Sequence, residues 1–223
     1  MTLSSVLRFV PIAVLLTSVS AHAQLFNAVG VKGGVNFSAS SIQILPDDIS
    51  SSELETQRRT GWQAALFAEW LKMPVFSVVT QVEYAQRGFT DEQVRTDENG
   101  PEPLGTFKLN TQMDYVSVPV LVKLQPSNTG IKPYAIFGPR FDFLVHRETV
   151  FQDDGRLDLE FSMADAVNDR AVGGAVGVGV AAKALSLPLL LEVRYNFDFN
   201  DNADSEFLTV KSNAVDLWLG ITF

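Results

Sequence analysis

The stretch "NAVDLWLGITF" places Val215, Leu217, Leu219, Ile221 and Phe223 on one parity and Asp216, Trp218, Gly220 and Thr222 on the other. A period of two is that of a β-strand with one apolar face. Eight segments carry it, at 29–38, 60–71, 75–88, 107–125, 132–146, 171–183, 188–200 and 212–223. At 107–125, Val116, Val118, Val120, Val122 and Leu124 alternate with Tyr115, Ser117, Pro119, Leu121 and Lys123. At 188–200, Leu189, Leu191, Val193, Tyr195, Phe197 and Phe199 alternate with Leu190, Glu192, Arg194, Asn196 and Asp198. Three connections are short and proline-marked: "KMP" at 72–74, "PSNTGI" at 126–131 and "LSLP" at 185–188. The other four, about 39–59, 89–106, 147–170 and 201–211, are long and polar. Short and long alternate, so all the long connections fall at one end of an up-and-down meander. The pattern predicts an all-β chain, an eight-stranded antiparallel up-and-down barrel.

Alternation does not say which face is inside. The face opposite the apolar one holds Lys32, Glu69, Glu83, Arg87, Lys123, Arg140, Asp142, Glu192, Arg194, Asp198 and Asp216. A soluble lipocalin-like barrel carrying an apolar ligand buries the apolar face and wets the charges; a transmembrane barrel does the reverse. Three features favour the membrane. The apolar face recurs in all eight segments. Trp62, Trp70, Tyr84 and Tyr195 to Phe199 lie at its ends, as interfacial girdles do. The charged face is rich in small residues at Gly173, Ala175, Gly177, Gly179 and Ala181, which leave room inside a narrow barrel and have no purpose on a wet surface.

The chain's start agrees. Arg8, the apolar run "FVPIAVLLTSVS" and "AHA" at 21–23 read as a secretory signal peptide over 1–23, cleaved before Gln24. Residues 24–223 are then one outer-membrane barrel domain. No cysteine is present, which excludes thiol catalysis and cysteine-ligated zinc. The histidines are His22 and His146, too few for a histidine metal site, and no cofactor motif is found. The net charge of −9 disfavours nucleic acid as a partner.

The stretches "VGVKGGVNFS", "GWQAALFAEW", "QVEYAQRGF", "YVSVPVLVKL", "KPYAIFGPRFDFL" and "LWLGITF" resemble the Bacteroidetes-type outer-membrane β-barrel family that includes PorT-like proteins. The resemblance runs over essentially all of 24–223. It implies a small eight-stranded barrel in the outer membrane; PorT-like members are implicated in secretion, a role that no residue of this chain matches individually. A closing strand ending in Phe223 resembles the signal read by the outer-membrane barrel assembly machinery. Outer-membrane lipid and that machinery are thus the expected partners.

Candidate chemistry lies on the charged face. Glu83, Arg87, Arg140, Asp142, Glu192, Arg194 and Asp216 all point to the lumen, and buried charges must be paired. An ion-pair network closing the lumen is the expectation, with Glu192 and Arg194 meeting Arg140, Asp142 or Asp216 across the small residues of 171–183. The other function is a narrow pore or small cavity. A lipid-modifying enzyme ranks third: His146, with Ser162 and nearby acids, lacks an orienting motif. "GGAVGVGV" at 173–180 lies in a strand with no following helix, so it is no phosphate cradle. The long connections carry acids (Asp47, Asp48, Glu53, Glu55; Asp91, Glu92, Asp97, Glu98, Glu102; Asp153, Asp154, Asp158, Glu160) without the ligand spacing of a calcium loop. Partner binding by these loops fits a rigid scaffold.

Overall fold

A computed structural model describes residues 26–44, 52–55, 57–71, 73–96, 103–126, 130–153, 168–184, 187–199 and 208–223. The expected signal peptide at 1–23 lies outside these, as does Ser162. Nine strands form one antiparallel sheet: β1 (Phe26–Ile44), β2 (Ser52–Glu55), β3 (Gln57–Trp70), β4 (Phe76–Thr96), β5 (Pro103–Leu124), β6 (Lys132–Asp153), β7 (Arg170–Ala184), β8 (Leu187–Asp198) and β9 (Leu208–Thr222). β2 pairs with β1 at Ser41–Ile44, and β3 takes over along the same strand from Ser38↔Arg59 to Phe26↔Trp70. They make one stave. β1 also pairs with β9, from Gly30↔Thr222 to Ile44↔Leu208. The result is a closed barrel of eight staves with no free sheet edge around its waist, the form a bilayer demands of strands.

The staves run further than the hydrophobic pattern. β4 and β5 remain paired out to Thr96↔Pro103, and β5 and β6 out to Phe107↔Asp153. The connections expected at 39–59, 89–106, 147–170 and 201–211 are therefore partly strand. An apolar face is enforced only where a stave meets lipid. Beyond that level the backbone ladder continues while the alternation fades. At mid-stave the ladder has gaps instead: rungs jump from Thr80↔Val120 to Glu83↔Ser117 and from Pro119↔Arg140 to Val122↔Phe137. Pro119 and Pro139 sit in these gaps and have no N–H to donate.

The apolar side chains face outward. Leu66, Val178 and Leu219 are each more than 60% exposed, at 64%, 63% and 61%, while Arg194, Asn36 and Asn196 are at 0%. This ordering is the reverse of the lipocalin-like alternative. Trp70 packs against Phe26 in a tilted pair at 4.6 Å near the short-turn end, and Trp62 against Tyr84 at 4.9 Å nearer the other. Eight residues separate the two tryptophans, roughly 26 Å along a strand and, at a tilt of about 40°, roughly 20 Å of height, which falls within an apolar band about 25 Å tall. By the usual arrangement the short turns are periplasmic and the long hairpins outside. The lumen also holds an apolar cluster of Phe67, Val79, Leu121, Tyr134, Ile136, Ala175 and Leu190. These residues sit on the parity opposite the lipid face, among the charges.

Candidate functional site: the charged lumen

The inward charges gather at two levels. Nearer the periplasm, Arg194 on β8 bonds Glu83 on β4 at 2.5 Å and Glu192 on its own strand at 2.7 Å. Lys32 on β1 bonds Glu192 at 2.9 Å. Gln81 accepts from Arg194 at 3.0 Å, and the Tyr134 hydroxyl donates to Glu192 at 3.1 Å. The Trp218 ring lies under both cations, 4.6 Å from Lys32 Nζ and 5.3 Å from the Arg194 guanidinium carbon. A further pair, Lys123 with Glu69 at 2.8 Å, stands at the periplasmic mouth, where Ser77 also donates to Glu69.

Nearer the outside, Asp142 on β6 is bonded by both Arg87 on β4 and Arg140 on its own strand, each at 2.8 Å. Arg140 also bonds Asp198 on β8 at 2.6 Å. Tyr115 packs 5.4 Å from the Arg87 guanidinium carbon.

Every one of these ion pairs that joins two strands passes over at least one stave. Lys32–Glu192 passes over β9, Arg87–Asp142 over β5, Lys123–Glu69 over β4 and Arg140–Asp198 over β7. Arg194–Glu83 joins opposite sides of the ring. Long side chains rising from a curved inner wall meet over the middle, provided that the intervening stave carries little. β7 provides such a gap. A Cβ on Gly179 would fall 2.4 Å from Tyr134 Cζ, and one on Gly173 would fall 3.2 Å from both Arg140 Nη2 and Asp198 Oδ1.

The seven residues singled out in the sequence are all buried and inward, but their partners differ from expectation. Glu192 and Arg194 do not meet Arg140, Asp142 or Asp216; they meet each other, Lys32 and Glu83. Arg140 and Asp142 belong to the outer level with Arg87 and Asp198. Asp216 is opposite Arg194 across the β8–β9 ladder, yet among the described residues no basic group lies within 4.0 Å of it. Asn196 Nδ2 donates to it at 2.6 Å. Lys32, Asp198, Tyr134 and Trp218 complete the two levels. Parity alone marked all four as inward; their reach across the lumen left no trace in sequence.

His146 is on the outer wall, exposed, with its Nε2 4.0 Å from Glu148 Oε2. An extra residue, Val145, is bulged out between the rungs Asp114↔His146 and Tyr115↔Leu144, which sets His146 on the same side as Val145. It is remote from the lumen carboxylates. Among the described residues no three His, Asp or Glu side chains converge as a metal site. Two spaces within the lumen measure about 20 and 10 Å³. Each has room for about one water molecule.

A family model described as "Outer membrane protein beta-barrel domain" matches residues 22–204. Comparison with curated proteins gave no significant match. Among solved structures, the chain is similar to Ail, the attachment invasion locus protein of Yersinia pestis, solved with the heparin analogue sucrose octasulfate, at 12% identity and a TM-score of 0.39, over 88% of this chain and 99% of that one. It is similar to Neisserial surface protein A at 15% identity and a TM-score of 0.41, over 87% and 97% of the two chains. It is similar to the outer membrane protein OprG from Pseudomonas aeruginosa at 13% identity and a TM-score of 0.43, over 89% and 97%.

Proposed function

Because the chain belongs to the outer membrane protein beta-barrel domain family, and is thus a small integral barrel of the outer membrane, we propose that it conducts nothing and serves as a sealed scaffold for its outer hairpins. The observation that carries this reading is that the free space beside each ion-pair level is water-sized, about 20 Å³ at the inner level and about 10 Å³ at the outer. An interior filled by side chains leaves binding or structural support as the roles open to the molecule, and the outer hairpins are the part held clear of lipid. The reading is non-enzymatic: His146 is exposed on the outer wall, on the side facing away from the lumen carboxylates. We place the chain in the PorT-like branch on its strand motifs, and assign Phe223 as the residue presented to the assembly machinery. Phe223 is 75% exposed at the periplasmic rim, while its N–H is tied to the Val29 carbonyl at 2.7 Å.

The test is electrical. Purified barrel fused into planar bilayers should give no conductance steps, and Arg194→Ala or Asp142→Ala should not open a channel unless the barrel also loosens. Steady single-channel current from the native protein would replace the sealed scaffold with a pore.

A further inference from the structure

The lumen charges balance within each level. Lys32 and Arg194 stand against Glu83 and Glu192 at the inner one, and Arg87 and Arg140 against Asp142 and Asp198 at the outer one. Asp216 is left over. It is 1% exposed and is bonded by Asn196, which lies between Arg194 and Asp198 on β8. Arg194 is its rung partner, yet the guanidinium is spent elsewhere: Nε donates to Glu192, Nη1 to Glu83, and Nη2 to Gln81 and Glu192. Between the two levels there is thus one negative charge that no ion pair among the described residues neutralises.

The unused polar atoms around it are oxygens. Asp216 Oδ1, Asn196 Oδ1, Asn36 Oδ1, Gln63 Oε1 and Glu83 Oε2 are buried and accept no hydrogen bond from any described residue. They come one each from β9, β8, β1, β3 and β4, which are consecutive staves of the ring. Their heights agree. Asn36 is the rung partner of both Asp216 and Gly61, Gln63 is two residues from Gly61, and Glu83 is level with Arg194 through their ion pair. The three amides are oriented by their nitrogens. Asn36 Nδ2 donates to the Gln86 carbonyl at 2.8 Å, Gln63 Nε2 to the Val35 carbonyl at 3.2 Å, and Asn196 Nδ2 to Asp216 Oδ2 at 2.6 Å. Flipping any of them would set oxygen against oxygen. Buried acceptors without donors are costly, and one proton on Asp216 would serve only itself and one neighbour, leaving three of the five oxygens unserved. A metal ion is bound by several oxygens at once, and carboxylate and amide oxygens are the donors that hard cations take.

We propose that the lumen holds a monovalent cation of sodium's size between its two ion-pair levels. Asp216 is the charged ligand, the Asn36 and Asn196 amide oxygens stand beside it, and Gln63 and Glu83 face it from the neighbouring staves. A single positive charge brings the interior to neutrality, whereas a divalent ion would leave an excess of one. The free spaces of the lumen are water-sized, so the ion sheds its hydration shell and takes protein oxygens in exchange. Asp216 and Asn36 lie on β9 and β1, the two strands that close the ring. The site is therefore completed only when the barrel closes, and the ion favours closure. This goes beyond the scaffold reading and does not depend on it: conductance and ion retention are separate readouts.

The experiment refolds the full barrel from urea into lipid vesicles, in sodium chloride or in N-methylglucamine chloride at equal ionic strength and pH. Closure is read from fast gel mobility without heating, and stability from the urea midpoint. The native protein should close several-fold faster in sodium and reach a higher midpoint, with a gain that saturates as one site does. Native mass spectrometry of the desalted barrel should find one sodium per chain. Asp216→Asn keeps the shape and removes the charge; it should refold alike in both salts and carry no sodium. Asn36→Ala keeps the charge and removes one oxygen; the sodium concentration giving half the gain should rise several-fold. Equal refolding of the native protein in the two salts, or no retained ion, overturns the proposal and leaves Asp216 to a proton or a water molecule. Sodium dependence undiminished in Asp216→Asn, or an unchanged half-gain concentration in Asn36→Ala, overturns it as well. So does a larger gain from calcium than from sodium at equal ionic strength.

Discussion

The two faces of a single stave obey different rules. On β8, Leu191, Val193 and Tyr195 face lipid, while between them Arg194 bonds Glu83 across the lumen, Glu192 bonds Lys32 and Arg194, and Asn196 donates to Asp216 on the adjoining strand. The lipid face is specified by composition: any apolar residue of moderate size satisfies it. The lumen face is specified residue by residue, because most charges there have a counter-charge at a fixed distance on another stave, and Asp216 has the Asn196 amide instead. Substitutions on the lumen face should therefore cost more and couple more than substitutions on the wall. The contrast can be tested in steps of decreasing size.

The largest effect belongs to Arg194→Ala. It removes the one cation bonded to both Glu83 and Glu192 and leaves two carboxylates buried, a loss of about 3–5 kcal/mol if the site stays dry. Urea titration in lipid vesicles reads it as a lower midpoint. Replacing Glu83, Glu192 and Arg194 together by Gln, Gln and Met should recover a large part. Independent, additive losses would mean that the inner level is not a network.

Next is Val120→Arg on the wall, where an arginine facing the bilayer near its midplane costs roughly 2–4 kcal/mol. This loss should not depend on the state of Arg194. Tolerance of the change, shown by unaltered insertion into vesicles, would mean that Val120 does not face lipid.

Smaller still is Gly179→Ala, which crowds Tyr134 and displaces its hydroxyl from Glu192. Overpacking of this kind costs about 1–3 kcal/mol, and pairing it with Tyr134→Phe should be less than additive. Additivity would show that the glycine serves the backbone and not the ring. The smallest effect is that of His146→Ala, an exposed change within about 0.5 kcal/mol, read from the same urea midpoint.

The sequence disclosed the wall more fully than the lumen for the same reason. Repetition of Val, Leu and Phe at every second position reports the lipid face directly, and it located eight staves and both aromatic levels. It could not locate the outer stave ends. Gln93, expected in a loop, lies in β4, because polar residues on both faces hide a ladder that still pairs. It identified the inward charges correctly as inward and then misassigned their partners. Partner choice depends on register and on side-chain reach across the ring, and neither leaves a periodic mark. Arg194 reaches Glu83, 111 residues away, past Asp216, its direct neighbour on the adjoining strand. The bulge at Val145 is a second case, since one extra residue moves every later side chain of β6 to the other parity without changing composition.

The seam between β1 and β9 has a kinetic consequence. Its rungs join residues 164 to 192 positions apart, from Ile44↔Leu208 to Gly30↔Thr222. Until β9 has been made and placed, β1 offers one side of its backbone to whatever surrounds it, and no such bare edge can enter hydrocarbon. Insertion and closure are therefore one event, and it is slow, because contacts of this sequence separation must be paid in chain entropy before any of them forms. The same coupling works in reverse. Once zipped, the cylinder has no free strand edge, so its persistence in the envelope is set by the rate of opening a fifteen-rung seam and not by the strength of any single pair along it.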